Sequence, residues 1–337
     1  MTLIGMATLR DVAKEAGVHP RTVSSILNGT LGNTRFGEET RRKVVKVAKR
    51  LGYTQNLVAR SLRTRRTQTV GLVAGNIQNP FFAELSLQLE RNLRQHDLHL
   101  VLTCHGADAD LDETSLAKLL LARSVDGLLI WSEQRDGRTP RLPRASTTPR
   151  VWMGHGPRSE VAATIDIAAG LAMAVGHVRA FGGRRIAFYA PSYSENAGLP
   201  KSRPDLLDEA CGAAGMPRPR RVLFPGQSWN LDAAVRCAFD FIPDVRSAGI
   251  DTVIGYNDVA AVGWQIAARE AGFHCPVIAF DGSPLIRAWK PAMPYVDLHG
   301  DVLARHAVEL LVALIKGHEL GERRALVQPT FVTPPTH

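Results

Sequence analysis

The segment TLRDVAKEAGVHPRTVSSILNG, residues 8–29, decides how the chain is organised. Apolar residues recur at helical spacing on both sides of a short turn, which predicts two small amphipathic helices. Gly17 suits a left-handed turn, and Pro20 suits the first turn of the second helix, where a missing N–H costs nothing. These features predict a helix-turn-helix, whose second helix enters the major groove of DNA. The alternative is an ordinary helical hairpin in a core, and the surrounding charges disfavour it.

Positive charge is concentrated around this motif. Residues 1–66 contain 14 Lys and Arg but 4 Asp and Glu, whereas residues 67–337 contain 27 and 28. Many of the basic residues lie in EETRRKVVKVAKRL, residues 38–51, which is predicted to form a third helix. The predicted inner face of that helix consists of Val44, Val45, Val47, Ala48 and Leu51. Because the excess charge is confined to one small module, it indicates neutralisation of nucleic-acid phosphates.

Composition excludes several classes of protein. No apolar run is long enough to span a bilayer, and the N-terminus shows no signal peptide, so we expect a cytoplasmic protein. Four widely spaced cysteines without a CxxC pair predict free thiols in a reducing compartment: Cys104, Cys211, Cys237 and Cys275. The sequence contains no HExxH motif, phosphate-binding loop or nucleophile elbow, and we expect no metal, no cofactor and no enzymatic activity.

Beyond residue 66 the pattern changes to alternating strands and helices. One series begins with TVGLVAGNI and a second with RRIAFYAPS, which predicts two similar α/β lobes with parallel sheets and a ligand cleft at the strand C-terminal ends. The predicted fold is therefore an all-α helix-turn-helix domain followed by a two-lobed α/β domain like that of periplasmic binding proteins. The expected boundaries are 7–65 for the first domain (motif 9–28, short helix 56–63) and 68–331 for the second, with a first lobe of about 68–166 and 295–320 and a second lobe of about 167–290.

Several motifs resemble the lac and purine repressor family of bacterial transcription regulators over nearly the whole chain. They include TLRDVAKEAGV, TVSSILNG, LGYTQNLVARSLRT, VGLVAGNIQNPFFAEL and YNDVAAVGWQIAAREAG. The resemblance implies a sequence-specific repressor that binds a pseudo-palindromic operator and responds to a small effector, expected to be a sugar or sugar derivative. No heptad repeat follows the last long helix, 301–317, so we expect a homodimer and not a tetramer.

The resemblance also implies which residues contact DNA: Pro20, Arg21, Thr22, Ser25, Asn28, Leu62 and Arg63. Arg21 is expected to bind guanine, and Pro20 to make apolar contact, for example with a thymine methyl group. Thr22 and Asn28 resemble phosphate contacts, and Leu62 stands where relatives drive a leucine into the minor groove. A solvated surface arginine remains the alternative for Arg21, and an apolar surface residue for Leu62. His19 replaces the usual serine cap, which is expected to weaken the start of the helix.

For the effector cleft, the resemblance implies six residues: Phe81, Phe82, Arg203, Trp229, Asn257 and Asp281. An aromatic plane beside Arg, Asn and Asp suits a sugar ring, since its CH faces stack while its hydroxyls bridge the polar groups. Relatives often carry an acidic residue where this chain has Gly154 and His155. The resemblance therefore does not settle which groups bind the effector on the first-lobe side of the pocket.

Two other classes of protein remain as alternatives. A solute-binding protein serving a transporter would explain the two lobes, but it requires export and would not require the basic residues 1–66. A two-lobed α/β enzyme is the other alternative, and none of the 11 histidines falls into a recognisable triad or metal spacing. Binding to double-stranded DNA distinguishes the repressor from both.

Overall fold

The computed structural model describes residues 7–27, 36–54, 61, 64, 66–104, 113–132, 147–154, 157–196, 201–226 and 230–334. The chain divides into two compact units, Met1–Thr67 and Gln68–His337. Each unit has its own hydrophobic core, so each is described separately below.

The first unit is built from short helices around a small core. Its described helices are α1 (Leu9–Ala16), α2 (Pro20–Leu27) and α3 (Glu38–Arg50). The buried residues at the centre of this core are Val12, Ala13, Ala16, Val23, Val44, Val47 and Ala48. Val45 was predicted to face inward, and this is wrong: it is 48% exposed. The reason is helical geometry, because positions 44, 47, 48 and 51 share one face of α3 while position 45 is turned about 100° away.

The second unit alternates strands and helices, as expected. Its strands are β1 (Thr69–Ala74), β2 (His99–Cys104), β3 (Gly127–Ser132), β4 (Arg150–Gly154), β5 (Ala162–Ile165), β6 (Ile186–Pro191), β7 (Arg220–Phe224), β8 (Thr252–Gly255), β9 (Val277–Asp281), β10 (Tyr295–Asp297), β11 (Arg324–Val327) and β12 (Thr330–Val332). Its helices are α4 (Pro80–Arg94), α5 (Glu113–Ala122), α6 (Ile167–Ala180), α7 (Arg203–Ala213), α8 (Leu231–Ser247), α9 (Asp258–Glu270), α10 (Pro284–Ala288) and α11 (Gly300–Ile315).

These strands form two six-stranded sheets, one in each lobe. The orders are β11-β5-β4-β3-β1-β2 and β12-β10-β9-β8-β6-β7. All pairings are parallel except that of β10 with β12, which is antiparallel. In each sheet the order reverses once, between β1 and β3 in the first lobe and between β6 and β8 in the second. Such reversal points open a crevice at the strand C-terminal ends, where ligands bind in open α/β sheets.

The path between the lobes differs in detail from the expectation. Strand β10 pairs with the second sheet, so the chain returns to the first lobe after Asp297 and not near residue 295. After α11 it adds β11 to the first sheet and then β12 to the second. The short strands β5, β7, β10, β11 and β12 were not predicted, because three to five residues carry little periodicity.

Candidate nucleic-acid interface and ligand-binding cleft

The helix-turn-helix is held by local hydrogen bonds at each helix end. The Thr8 hydroxyl accepts a hydrogen bond from the Asp11 amide, and the Asp11 carboxylate accepts one from the Thr8 amide at 2.8 Å, so the pair forms a capping box. Hydrogen bonds from the Thr8 hydroxyl and from the Thr8 amide lower the pKa of Asp11. Helix α1 ends at Gly17 with φ +68° and ψ +36°, the left-handed conformation that glycine adopts without a steric cost. The turn therefore fixes α2 relative to α1.

His19 starts α2 in a way that the sequence did not predict. Its ring atom Nδ1 accepts a hydrogen bond from the Arg21 amide at 3.2 Å, and its carbonyl accepts one from the Thr22 amide at 2.9 Å. The imidazole therefore supplies an acceptor where relatives have a serine hydroxyl, and the weaker helix start stays a prediction. The ring nitrogen can accept only when it carries no proton.

The predicted DNA-contacting residues fall into two groups. Arg21 is exposed on α2, while Pro20, Thr22 and Ser25 are half-buried. Asn28, Leu62 and Arg63 lie outside the described residues. The structure therefore brings four of the seven onto one short helix, and it leaves the other three as sequence predictions.

Exposed basic residues on α3 flank this helix. Arg41, Lys43, Lys46 and Lys49 are all exposed. Two further arginines of the run are engaged by carboxylates: Arg50 pairs with Glu15, and Arg42 lies 3.5 Å from Glu38. The positive potential of this unit therefore comes mainly from side chains that point into solvent, which is the arrangement that phosphate contacts need.

In the second unit, a cavity of about 70 Å³ lies where the two reversal points of the sheets meet. Phe81 and Phe82 reach it from α4, which follows β1, and Trp131 and Ser132 reach it from the end of β3. The second lobe contributes residues that follow β6, β8 and β10, together with Asp281 at the end of β9. The complete lining is Asn79, Phe81, Phe82, Trp131, Ser132, Gly154, Ile165, Ile167, Arg203, Tyr256, Asn257, Asp281 and Leu298.

Arg203 and Asp281 are the charged residues in the described lining of this cavity. The Arg203 guanidinium donates to the Tyr256 carbonyl, lies 3.8 Å from an Asp281 oxygen and stacks 4.6 Å from the Tyr256 ring centre. The Arg203 side chain is 18% exposed and the Asp281 side chain 5%. An ion pair largely shielded from solvent at a cavity wall offers both donors and an acceptor to adjacent hydroxyls, and partial desolvation of the two charges strengthens such contacts.

Asn257 lines the cavity and also caps a helix. Its side-chain oxygen accepts a hydrogen bond from the Ala260 amide at 2.9 Å and so caps α9. The cap fixes the orientation of the Asn257 amide group, so a ligand that contacts Asn257 must bind it in this orientation.

Asp258 holds the turn that carries Asp281. Its fully buried carboxylate accepts hydrogen bonds from the Ser283 amide at 2.7 Å and the Gly282 amide at 3.4 Å. Burial raises the pKa of Asp258 to about 6, against the lowering effect of these hydrogen bonds. Asp281 itself has φ +141°, a conformation that side chains rarely adopt, so the turn depends on this support.

Sequence reasoning missed Trp131, Ser132, Asn79 and Tyr256 as lining residues. A usable signal existed for the first two, since they end a buried apolar strand, and the C-terminal ends of parallel strands form the cleft. Phe81, Phe82, Arg203, Asn257 and Asp281, all predicted, are brought together at the cavity. Trp229 lies outside the described residues.

A second cavity of about 320 Å³ adjoins the first, and Phe81 and Asp281 line both. It is strongly polar. An ion pair between Arg287 and Glu84, 2.7 Å long, joins the second lobe to α4 of the first lobe at its edge.

Two absences hold for the part of the chain that the structure describes. No helix there is both long and apolar enough to cross a membrane. The same residues contain no group of three or more His, Cys, Asp or Glu side chains placed to hold a metal ion.

Comparisons with known proteins bear on both units. Residues 8–56 match the family model described as bacterial regulatory proteins, lacI family. Residues 67–149 match periplasmic binding proteins and sugar binding domain of LacI family, and residues 175–334 match a periplasmic binding protein-like domain. The HTH-type transcriptional regulator CelR of Thermobifida fusca is 30% identical over 337 residues, which cover 95% of each chain. The chain belongs to the lacI family.

Other relatives agree with this assignment. The HTH-type transcriptional repressor PurR of Photobacterium profundum is 28% identical, and the alignment covers 97% of each chain. A solved complex of CelR with cellobiose is 26% identical with a TM-score of 0.66, covering 97% of this chain and 98% of that one. The lac repressor dimer bound to operator has the same fold, with a TM-score of 0.76 at 19% identity and coverage of 98% of both chains. This lacI-family protein is a sequence-specific DNA-binding transcriptional regulator with the predicted α/β fold.

Proposed function

We propose that this lacI-family protein is a homodimeric repressor whose affinity for a pseudo-palindromic operator is set by a small, sugar-like effector. The observation that carries the proposal is the pair of half-buried Arg203 and buried Asp281 on the cleft wall, in a chain whose other unit presents an exposed Arg21 on a helix-turn-helix. The relatives support it, since they include a ribose operon repressor and a regulator solved with cellobiose.

On the DNA side, α2 enters the major groove and Arg21 makes a bidentate contact to guanine. Pro20 and Ser25 meet base edges, and Thr22 meets a phosphate. Asn28, Leu62 and Arg63 complete this set on sequence grounds alone, with Leu62 acting as a minor-groove wedge at the operator centre. Two-fold symmetry of the homodimer matches the symmetry of the operator.

On the effector side, Arg203 and Asp281 bind adjacent hydroxyls, Asn257 adds a hydrogen bond, and Phe81 and Phe82 cover an apolar face of the ligand. Trp229 joins them on sequence grounds. The effector either releases the operator or tightens the complex, and it does so by its difference in affinity for the two arrangements of the protein.

The protein acts in the cytoplasm as a binding protein and not as an enzyme. The support is its family, whose named relatives are transcriptional regulators and repressors. The buried charges of the cleft are consistent with binding, because Arg203 is already engaged by Tyr256 and Asp281.

The experiment is selection of bound sequences from a random pool of double-stranded DNA, followed by fluorescence anisotropy. We expect a two-fold symmetric consensus. Arg21→Ala should cost about 1–3 kcal/mol on that consensus and relax one base pair per half-site. Arg158→Ala is the control, because Arg158 is an exposed arginine of the second unit and should leave DNA binding unchanged. Failure to enrich any sequence would refute the proposal.

A further inference from the structure

The first residue of the second unit is held in an unusual backbone conformation. Gln68 has φ +57°, in the left-handed region where residues other than glycine are uncommon. Its amide donates a hydrogen bond to the Asp126 carboxylate at 2.9 Å, and its carbonyl accepts one from the His99 amide at 2.9 Å. The Asp126 amide in turn donates to the Thr69 carbonyl at 2.8 Å. The backbone of Gln68 is therefore fixed from the starts of β2 and β3, the two neighbours of β1.

The second lobe contains the same carboxylate clamp at the start of its own first strand. The Asp251 carboxylate accepts hydrogen bonds from the Arg184 amide at 2.7 Å and the Arg185 amide at 3.0 Å. The Asp251 amide donates to the Arg185 carbonyl at 3.1 Å. Asp126 and Asp251 each lie directly before the strand that pairs with the first strand of their lobe, β3 and β8 respectively. In both lobes the clamp therefore ties the beginning of one strand to its neighbour.

The two clamps differ in the backbone that they hold. Arg184 occupies the place of Gln68 in the second lobe, and its φ is not positive. The clamp itself therefore does not require the left-handed conformation. The segment in front also differs: Arg184 follows the end of α6 through Gly182 and Gly183, whereas Gln68 follows the linker, residues 64–67, which belongs to the DNA-binding unit. The conformation of Gln68 is thus specific to the junction between the linker and the first lobe.

A fixed turn at this junction matters because an operator has two halves. The two DNA-binding units of a homodimer act as linked binding modules. Once one unit has bound its half-site, the other meets the second half-site at an effective concentration that depends on the linker. A turn of defined direction narrows the positions that each linker can reach, and a loose turn lowers the effective concentration at the matching spacing. Non-operator DNA imposes no such spacing, so its electrostatic binding does not depend on the turn.

We propose that Asp126 and Gln68 are positioning residues for operator binding, which fix the direction in which each linker leaves the first lobe. They act through the linker and not by touching DNA. The inference rests on the proposed function, because it requires a homodimer on a two-fold symmetric operator.

The test is fluorescence anisotropy of the full chain on the selected operator and on non-operator DNA of the same length. Asp126→Ala removes the acceptor of the Gln68 amide, so operator affinity should fall by about 5- to 20-fold while non-operator affinity changes by less than about 2-fold. Asp126→Asn keeps a side-chain oxygen at the same place and should restore most of the operator affinity. Asp251→Ala is the matched control, since it opens the equivalent clamp and removes the same charge where no linker begins. It should leave both affinities within about 2-fold of the parent protein.

A second pair of variants changes the turn and leaves both carboxylates in place. Gln68→Val introduces a β-branched side chain, which is strongly disfavoured at φ +57°, and should weaken operator binding by a similar factor. Gln68→Asn keeps an amide side chain and tolerates the left-handed conformation, so it should bind the operator like the parent protein. The melting temperature of each variant reports whether it folds, and the Gln68 pair carries the test if Asp126→Ala does not.

Equal losses of operator and non-operator affinity in Asp126→Ala would overturn this inference, as would equal operator losses in Asp126→Ala and Asp251→Ala. Operator binding of Gln68→Val that matches the parent protein would do the same. None of these results would touch the proposed function, which fails instead if no operator is selected from the random DNA pool.

Discussion

The raised pKa of Asp258 predicts that the free energy of unfolding of the second unit depends on pH in an unusual direction. Its carboxyl has an ordinary pKa of 3.8 in the unfolded chain and about 6 in the folded one. Between these values the folded state binds more protons than the unfolded state, so the free energy of unfolding falls as pH rises. This loss of stability is absent well below pH 3.8 and complete well above pH 6. It amounts to about 3 kcal/mol in total, of which about 2 kcal/mol accrues between about pH 4.5 and 7.5.

Asp258→Asn removes the titrating group and keeps its size. Measured by calorimetry, the melting temperature of the variant relative to the parent protein should rise by about 4–8 °C more at pH 7.5 than at pH 4.5. The comparison between the two proteins cancels the other titrating groups. The absolute stability of the variant also reflects a lost acceptor, because an amide offers one oxygen where the carboxylate offers two to Gly282 and Ser283.

The refuting result is a difference in melting temperature that does not change with pH. It would show that Asp258 is solvated or otherwise neutralised, and that burial does not raise its pKa. The difference could also change in the opposite direction, in which case the carboxylate would be net stabilised by the two amides and the pKa would be lowered.

Three further outcomes are expected. Gly17→Ala should destabilise the first unit by roughly 1–2 kcal/mol, because φ is +68° there, and hydrogen exchange of Val12 and Val23 should report the loss. His19→Ala removes the acceptor for the Arg21 amide, so it should weaken operator binding in anisotropy titrations more than Lys14→Ala does; equal effects would exclude a capping role. Gly154→Ala should both lower the melting temperature and weaken ligand binding, because the added Cβ meets Ser132 and Trp131. An unchanged ligand affinity would show that position 154 does not affect binding in the pocket.

Much of the fold could be predicted because its signals are local. The helices of the first unit follow from apolar spacing, and the conformation of Gly17 follows from its place in the turn. The long helices and buried strands of the second unit are equally periodic. The short strands β10, β11 and β12 are set by pairing with distant strands, so their own residues carry no sufficient pattern.

The residues that line the cavity were predictable to different degrees. Phe81, Arg203 and Asp281 follow from family motifs, and the structure brings them to one cavity. The unpartnered donors of Trp131 and Ser132 could not be predicted, because hydrogen-bond satisfaction depends on three-dimensional packing. The ring contact of His19 could not be predicted for a related reason, since a preference for serine at that position does not show what the imidazole contacts.

The central claim is that the cleft controls DNA affinity, and operator titrations with and without ligand test it most directly. A typical coupling of about 1–3 kcal/mol predicts that the ligand changes operator affinity by about 5- to 150-fold in the parent protein. Arg203→Ala and Asp281→Ala should abolish this response. Their ligand-free operator affinity should stay near that of the parent if the ligand is an inducer, and both should fail to bind tightly if it is a corepressor. A ligand response that is unchanged in both variants would contradict the account.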